Sequence, residues 1–380
     1  MISEFVSELE NYLSREAGVE KRSTLVEFSN ATGKSIPSEV WRHRHSRGYY
    51  DIRALKESSS KNFDFTEREN KMENIVSANL VPEKDPNFVK CGIYSDIKKI
   101  IKSNLFVPTL IAGMNGNGKT ESVIQACAET KRNAVRVNFT VETDEDDLIG
   151  GYRLENGDTV WYDGPVVRAM KMGAVLILDE IDRAHPGKCM SLQSILEGNG
   201  HFIKKTGEYV EPASGFTIIA TANTKGRGSE DGRFAAANIL DEAMLDRFSI
   251  TFEQPYPSAK NEEKILTNAL ASNLEKSGMS WREDDEEFVK YIVKWVQTIR
   301  KTFSDGGVDD VISTRRAVDL MKAYTILNRK RLKAIEWTVS RFEDESKDSF
   351  ISLFKKLDAS SIEENEESQE KSIEDYEEEG

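Results

Sequence analysis

Residues 107–120 read VPTLIAGMNGNGKT, and this stretch decides the fold. An apolar run ends at Ala112, Gly113 to Thr120 match the pattern G-x-x-x-x-G-K-S/T, and a helical stretch, ESVIQACAETK, follows. A strand, a glycine-rich loop and a helix in that order are the setting in which the pattern cradles phosphate. Glycines let backbone N–H groups converge on phosphate oxygens without a Cβ in the way. The helix N-terminus adds the positive end of its dipole. Gly113, Met114, Asn115, Gly116, Asn117 and Gly118 would supply the cradle, Lys119 would reach the outer phosphates, and Thr120 would offer its hydroxyl to Mg²⁺. The plainer reading is a glycine turn without a ligand.

Two further runs place chemistry at strand ends. AVLILDE (174–180) puts Asp179 at the end of a buried strand, where open α/β sheets gather their ligands. A carboxylate there can hold Mg²⁺ through water, and the neighbouring Glu180 can polarise an attacking water as general base. FTIIATAN (216–223) ends in Asn223, whose amide could orient that water; a turn-capping asparagine is the alternative. With AVRVNF (134–139) and SITFEQ (249–254), these runs form near-continuous apolar strands separated by helical segments. Such a pattern predicts a parallel sheet covered on both faces. The fold class is therefore α/β, an αβα sandwich followed by a smaller helical lid, because residues 258–345 carry helical patterns such as RRAVDLMKAYTIL and no strand pattern.

Charge and composition divide the 380-residue chain further. The net charge is −14, of which the run 361–380 alone holds −9. The expected organisation is a partner-binding or linker region at 1–80, the nucleotide-binding domain at 81–256, the lid at 257–345 and a disordered acidic tail at 346–380. Ile2, Phe5, Leu9 and Leu13 at helical spacing predict an amphipathic helix, and 56–75 reads as a linker. WRHRHSRGYYDIR (41–53) is either a nucleic-acid patch or a solvated, protein-docking face; the overall acidity favours the second. No apolar run is long enough to span a membrane, and the acidic start is not a secretory leader. Cys91, Cys127 and Cys189 form no C-x-x-C pair, which points to a reducing cytoplasm.

Taken together, the loop 113–120, the pair Asp179–Glu180 and the strand-terminal Asn223 resemble the AAA+ ATPases. LDEIDRAHPGKCMSLQSILEG (178–198), ATANTKGRG (220–228) and DEAMLDRFSI (241–250) are similar to the MoxR-type branch, especially the CobS-type small subunit of aerobic cobaltochelatase, over about residues 90–325. The resemblance implies ATP and Mg²⁺ as cofactors. It puts Walker A on Gly113, Gly116, Gly118, Lys119 and Thr120, Walker B on Asp179 and Glu180, and sensor 1 on Asn223. The arginine finger falls on Arg247 and sensor 2 on Arg315, although Thr314 stands where relatives carry proline and Arg316 follows directly. Asp182 likewise replaces an asparagine common in the branch.

The same resemblance implies a homo-hexameric ring. Hairpins within 147–166 and 199–213 would face its pore, where Trp161, Tyr162, Phe202, Lys204 and Lys205 could grip a substrate or simply pack their own hairpins. The implied output is remodelling of a partner protein, one with a von Willebrand factor A-like domain, or of a chelatase complex. A nucleic-acid motor using 41–53 and a nucleotide-gated scaffold are the alternatives.

Overall fold

The computed structural model describes residues 2–13, 19–32, 36, 44–46, 49–52, 80–155, 157–225 and 238–358. The chain divides into two units, Met1–Ala78 and Asn79–Gly380. Arg42, Arg47 and Arg53 of the basic segment, the linker expected at 56–75 and the acidic run 361–380 lie outside the described residues.

The smaller unit holds α1 (Ile2–Leu13), β1 (Val19–Lys21), α2 (Arg22–Thr32), β2 (Arg44–Ser46) and β3 (Tyr49–Asp51). Its strands pair antiparallel in the order β1-β3-β2. Leu9 from the expected amphipathic helix is fully buried, as are Leu25 and Phe28 of α2.

The larger unit begins with α3 (Tyr94–Ser103), β4 (Thr109–Ala112), α4 (Lys119–Thr130) and β5 (Ala134–Asn138). Next come α5 (Glu145–Leu148), the hairpin of β6 (Gly150–Glu155) and β7 (Asp158–Asp163), α6 (Pro165–Met172) and β8 (Val175–Asp179). After two short 3₁₀ turns follow α7 (Gln193–Leu196), the hairpin of β9 (His201–Ile203) and β10 (Glu208–Val210), β11 (Thr217–Ala222), α8 (Glu242–Leu245) and β12 (Ile250–Glu253).

Five strands form one parallel sheet in the order β12-β4-β11-β8-β5. Every residue of β4, β8 and β11 is buried, which is why these segments read as largely apolar runs rather than alternating ones. Leu110, Leu176 and Ile218 face one layer with Val166 and Met170 of α6, whereas Ile111, Ile177 and Ile219 face the other with Ile97, Val123 and Cys127. From β4 the chain crosses to the far edge at β5, steps back through β8 and β11, and then passes to the opposite side of β4 as β12. The order therefore reverses at β4, and the carboxyl ends of β4, β11 and β8 lie side by side where such sheets bind ligands.

The lid consists of α9 (Ala259–Lys276), α10 (Glu283–Ser304), α11 (Thr314–Ile326), α12 (Arg331–Val339) and α13 (Asp344–Leu357) around Leu266, Leu270, Phe288, Trp295, Leu320 and Tyr324. The boundary drawn at 345 and the disordered tail drawn from 346 need correction. Helix α13 occupies 344–357 and belongs to the lid core. Phe350 and Phe354 are buried edge-on against Trp295, each ring pair 6.3 Å apart, and the Trp295 indole N–H donates to the Phe350 carbonyl at 2.9 Å. Among the described residues, no helix is long and apolar enough to cross a membrane.

Candidate functional site

The glycine loop leaves β4 and turns three times through backbone conformations that disfavour side chains, with φ of +153° at Gly113, +67° at Gly116 and +90° at Gly118. Gly118 precedes α4, so Lys119 and Thr120 are its first residues. Lys119 is only 7 % exposed, and its ammonium donates to the loop's own carbonyls, Gly113 at 2.5 Å and Met114 at 3.0 Å, with the Asn223 Oδ1 at 3.5 Å. Burial pulls its pKa down to about 8, against the opposing pull of Asp182, Asp179 and Glu180.

Asp179 ends β8 beside the loop. Its Oδ1 accepts from the hydroxyls of Thr120 (2.7 Å) and Thr221 (2.5 Å), and its Oδ2 accepts from Arg136 Nε at 2.9 Å and from Arg136 Nη2. Burial alone would raise this carboxyl, yet the hydrogen bonds from Thr221, Thr120 and Arg136 hold it below the ordinary range. A hydroxyl and an ionised carboxylate in contact are an all-oxygen donor set, the kind a hard divalent cation such as Mg²⁺ takes. Glu180 has φ of +56°, donates its N–H to Thr221 Oγ1 at 3.1 Å and pairs through its carboxylate with Arg183 at 2.7 Å. Asp182 is fully buried and accepts the backbone N–H groups of Asn223 (2.8 Å) and Thr224 (3.2 Å), so it pins the end of β11 that carries Asn223.

A cavity of about 380 Å³ opens between the loop and the lid, lined by Asn115, Gly116, Glu180, Tyr256, Arg315 and Arg316 among others. Of the two adjacent arginines, Arg315 is next to the loop. Its backbone N–H donates to the Gly116 carbonyl at 3.1 Å, and its charge acts on Lys119. Arg316 has its pKa lowered by burial and by Arg341. Arg247 does not line this cavity; it donates to the Glu197 carboxylate at 2.8 Å and to the Ala243 carbonyl.

Of the hairpin aromatics singled out in the sequence, Phe202 is exposed and the other two pack their own hairpin. Trp161 donates to Asp163 at 2.8 Å and Tyr162 to Glu155 at 2.7 Å, so both serve their own hairpin. Tyr152 (50 % exposed) and Tyr209 (57 %) face solvent alongside Phe202 (52 %). Lys205 pairs with Asp146, and the Tyr152 hydroxyl bridges the hairpins by donating to the Lys205 carbonyl at 3.0 Å.

Four residues at the site escaped the sequence reading: Arg136, Arg183, Gln254 and Tyr256. Gln254 clamps the loop, donating to the Asn117 carbonyl at 2.8 Å while its own carbonyl accepts from the Asn117 amide at 2.5 Å. The Asn117 Nδ2 thereby serves the clamp, whereas its buried Oδ1 accepts no hydrogen bond among the described residues. The Tyr256 hydroxyl donates to the Asn115 carbonyl at 3.0 Å. A polar glutamine closing SITFEQ just before Pro255 was the available signal; the arginines offered none.

A family profile described as the AAA domain, dynein-related subfamily, matches residues 108–248. An uncharacterised protein of Staphylococcus epidermidis is 28 % identical over 272 residues, 68 % of this chain and 92 % of that protein. Protein NorQ of Paracoccus denitrificans is 36 % identical over 171 residues, 45 % of this chain and 60 % of NorQ. The aerobic cobaltochelatase subunit CobS of a Sinorhizobium species is 26 % identical over 214 residues, 55 % of this chain and 62 % of CobS. With its parallel sheet and its glycine loop at the point of strand reversal, the segment 108–248 is a nucleotide-binding AAA domain of the dynein-related subfamily, and the chain is similar to NorQ and CobS.

Proposed function

We propose that ATP sits with its phosphates in the loop Gly113–Thr120, that Lys119 pairs with the outer phosphates, and that Thr120 and Asp179 hold Mg²⁺. The cation would offset phosphate charge and align the terminal phosphoryl group. Glu180 then accepts the proton of the attacking water, Asn223 orients that water, and Arg315 reads the terminal phosphate from the lid. For Glu180 to act, its carboxylate must exchange Arg183 for water. The observation that carries this reading is convergence. Lys119, Asp179, Glu180 and Asn223 come from three strand ends spread over more than a hundred residues and meet at the carboxyl edge of the sheet, where Glu180 lines the cavity.

The chain works as a homo-hexameric ring in the cytoplasm, in which Arg247 of each subunit reaches the nucleotide of its neighbour. Its position outside its own subunit's cavity supports action in trans. Hydrolysis moves lid against sheet domain and drives the paired hairpins, whose exposed Tyr152, Phe202 and Tyr209 engage a partner protein. A von Willebrand factor A-like domain is the proposed class of partner, and the likeness to a cobaltochelatase subunit supports a role in a multi-subunit complex of that kind.

Glu180→Gln tests the catalytic assignment. It should bind a fluorescent ATP analogue as the wild type does and hydrolyse ATP about 100-fold or more slowly. Wild-type turnover would assign the base elsewhere. The ATP-loaded variant, mixed with lysate of its source, should retain an adhesion-domain protein; retention of nucleic acid instead would favour a nucleic-acid motor.

A further inference from the structure

A buried ion pair in the lid lies one residue away from two separate contacts on the glycine loop. Glu262 of α9 is fully buried, and Arg300 of α10 is 9 % exposed. Both Arg300 Nη atoms donate to the Glu262 carboxylate, at 2.8 and 2.7 Å. Gln297 donates to the same carboxylate at 2.7 Å, and so does the Thr314 hydroxyl at 2.9 Å. Arg300 Nε donates to the Ile312 carbonyl at 3.0 Å, just ahead of α11.

From this pair, one route runs through Tyr256. The Arg300 guanidinium lies 3.9 Å from the centre of the Tyr256 ring, and the Tyr256 hydroxyl holds the Asn115 carbonyl. The other route runs through Thr314 to Arg315, whose N–H holds the Gly116 carbonyl. Two consecutive loop carbonyls are thus held from outside, which keeps their peptide units turned with carbonyls toward the lid. Proline at 314, as in S-P-R relatives, has no hydroxyl for Glu262 to accept; threonine at this position supplies one.

We propose that Glu262 and Arg300 are positioning residues for the nucleotide site. They do not touch nucleotide; they set the placement of Tyr256 and Arg315 and, through those two, the conformation of the loop at Asn115–Gly116. The proposal rests on the reading of Gly113–Thr120 as the phosphate loop. Burial of the pair by itself argues nothing for stability, since buried ion pairs are often replaced by apolar groups without loss. That indifference makes a discriminating test possible.

The test measures the affinity of methylanthraniloyl-ATP, steady-state ATPase rates and thermal melting on the full chain. Glu262→Met combined with Arg300→Met fills the same space with apolar groups. It should fold and melt somewhat below the wild type, because the Thr314 hydroxyl and the Ile312 carbonyl lose their partners, yet bind the analogue and turn over about 10- to 100-fold more weakly, as a misplacement of about 1 Å would cause. Arg300→Lys, which keeps the charge, should recover part of the loss. Tyr256→Phe, which removes one surface hydrogen bond and leaves the lid core alone, should weaken binding by itself and add little to the double variant. Wild-type affinity and turnover in the double variant, full additivity with Tyr256→Phe, or wild-type binding by Tyr256→Phe when the double variant does not fold would each overturn the proposal. Lys119→Ala run in parallel separates the two readings. If it still binds the analogue tightly, the phosphate-loop reading fails; if it loses binding while the double variant matches the wild type, only the positioning role fails.

Discussion

Gly116 shows how closely a single backbone position is tied to its surroundings here. Its φ of +67° is one that side chains seldom adopt, and a Cβ there would stand 2.8 Å from the Ser313 hydroxyl and 3.1 Å from the Arg315 Cβ. Gly278, in the turn after α9, has a nearly equal φ of +69° and open space where a Cβ would go. The two glycines therefore separate conformational strain from contact. Gly278→Ala should cost about 1–2 kcal/mol, the left-handed penalty alone, and leave nucleotide binding unchanged. Gly116→Ala should cost more than that and weaken nucleotide binding, because Ser313 and Arg315 must retreat from the loop. Thermal melts and titrations with a fluorescent ATP analogue check both, and equal behaviour of the two variants would show that the contact with α11 carries no function. The motif in the sequence located Gly116, but not its second neighbour. The approach of Ser313 joins residues almost two hundred positions apart, and no local pattern encodes that.

At the scale of elements, the lid is tied together by charges that the sequence spreads widely. Asp285 in the first turn of α10 is fully buried and accepts from Arg329 Nε at 2.8 Å, the Arg282 N–H at 2.8 Å and the Tyr324 hydroxyl at 3.1 Å. Burial pushes its carboxyl up, yet the hydrogen bonds from Arg329 and the Arg282 backbone, with the Arg329 charge, hold it below its ordinary value. Its stabilising contribution is thus complete above the unfolded carboxyl pKa of about 3.9 and is lost as pH falls through the lower folded value. Asp285→Asn should destabilise the chain by about 3–5 kcal/mol at pH 7, since it leaves the Arg329 charge without its partner. The gap between variant and wild type should narrow as the pH is taken below about 4. Denaturant titrations at both pH values measure it, and a gap that does not change with pH would mean that packing, not charge, sets the loss. Elements of the sheet were legible for the opposite reason. β4, β8 and β11 are buried on both faces, so their residues are mostly apolar, broken only by buried Thr109, Thr217, Thr221 and the terminal Asp179. Helix α13 was not read as lid because its apolar positions, Phe350, Ile351, Leu353, Phe354 and Leu357, crowd into its second half after a charged first turn and just before the acidic run.

For the whole molecule, the question is whether one chain can complete its own site. The loop, Asp179, Glu180, Asn223 and Arg315 meet within one chain: the strand order β4-β11-β8 sets the first four side by side, and the lid brings Arg315 to the loop through its N–H on the Gly116 carbonyl. Arg247 does not take part. It sits after α8, pairs with Glu197 at 2.8 Å and keeps a quarter of its side chain exposed. An arginine that served its own site would face the cavity; one that serves a neighbour must be presented on the surface and held lightly enough to change partner, and a partly exposed pair is worth only about 0–1 kcal/mol. Arg247→Ala should therefore bind ATP as the wild type does and hydrolyse it at least about 1000-fold more slowly, the scale of a lost arginine finger. Lys119→Ala should be inactive for the separate reason that it fails to hold nucleotide. Mixed subunits then provide the decisive case. In a ring containing both variants, an intact loop on an Arg247→Ala subunit can lie next to an intact Arg247 on a Lys119→Ala subunit, so some sites are whole again. ATPase activity of the mixture, assayed across mixing ratios, should rise well above the sum of the separate variants and peak near equal proportions. Activity that stays at that sum at every ratio would place Arg247 in its own subunit's site, or outside catalysis altogether, and would remove the main argument for a ring.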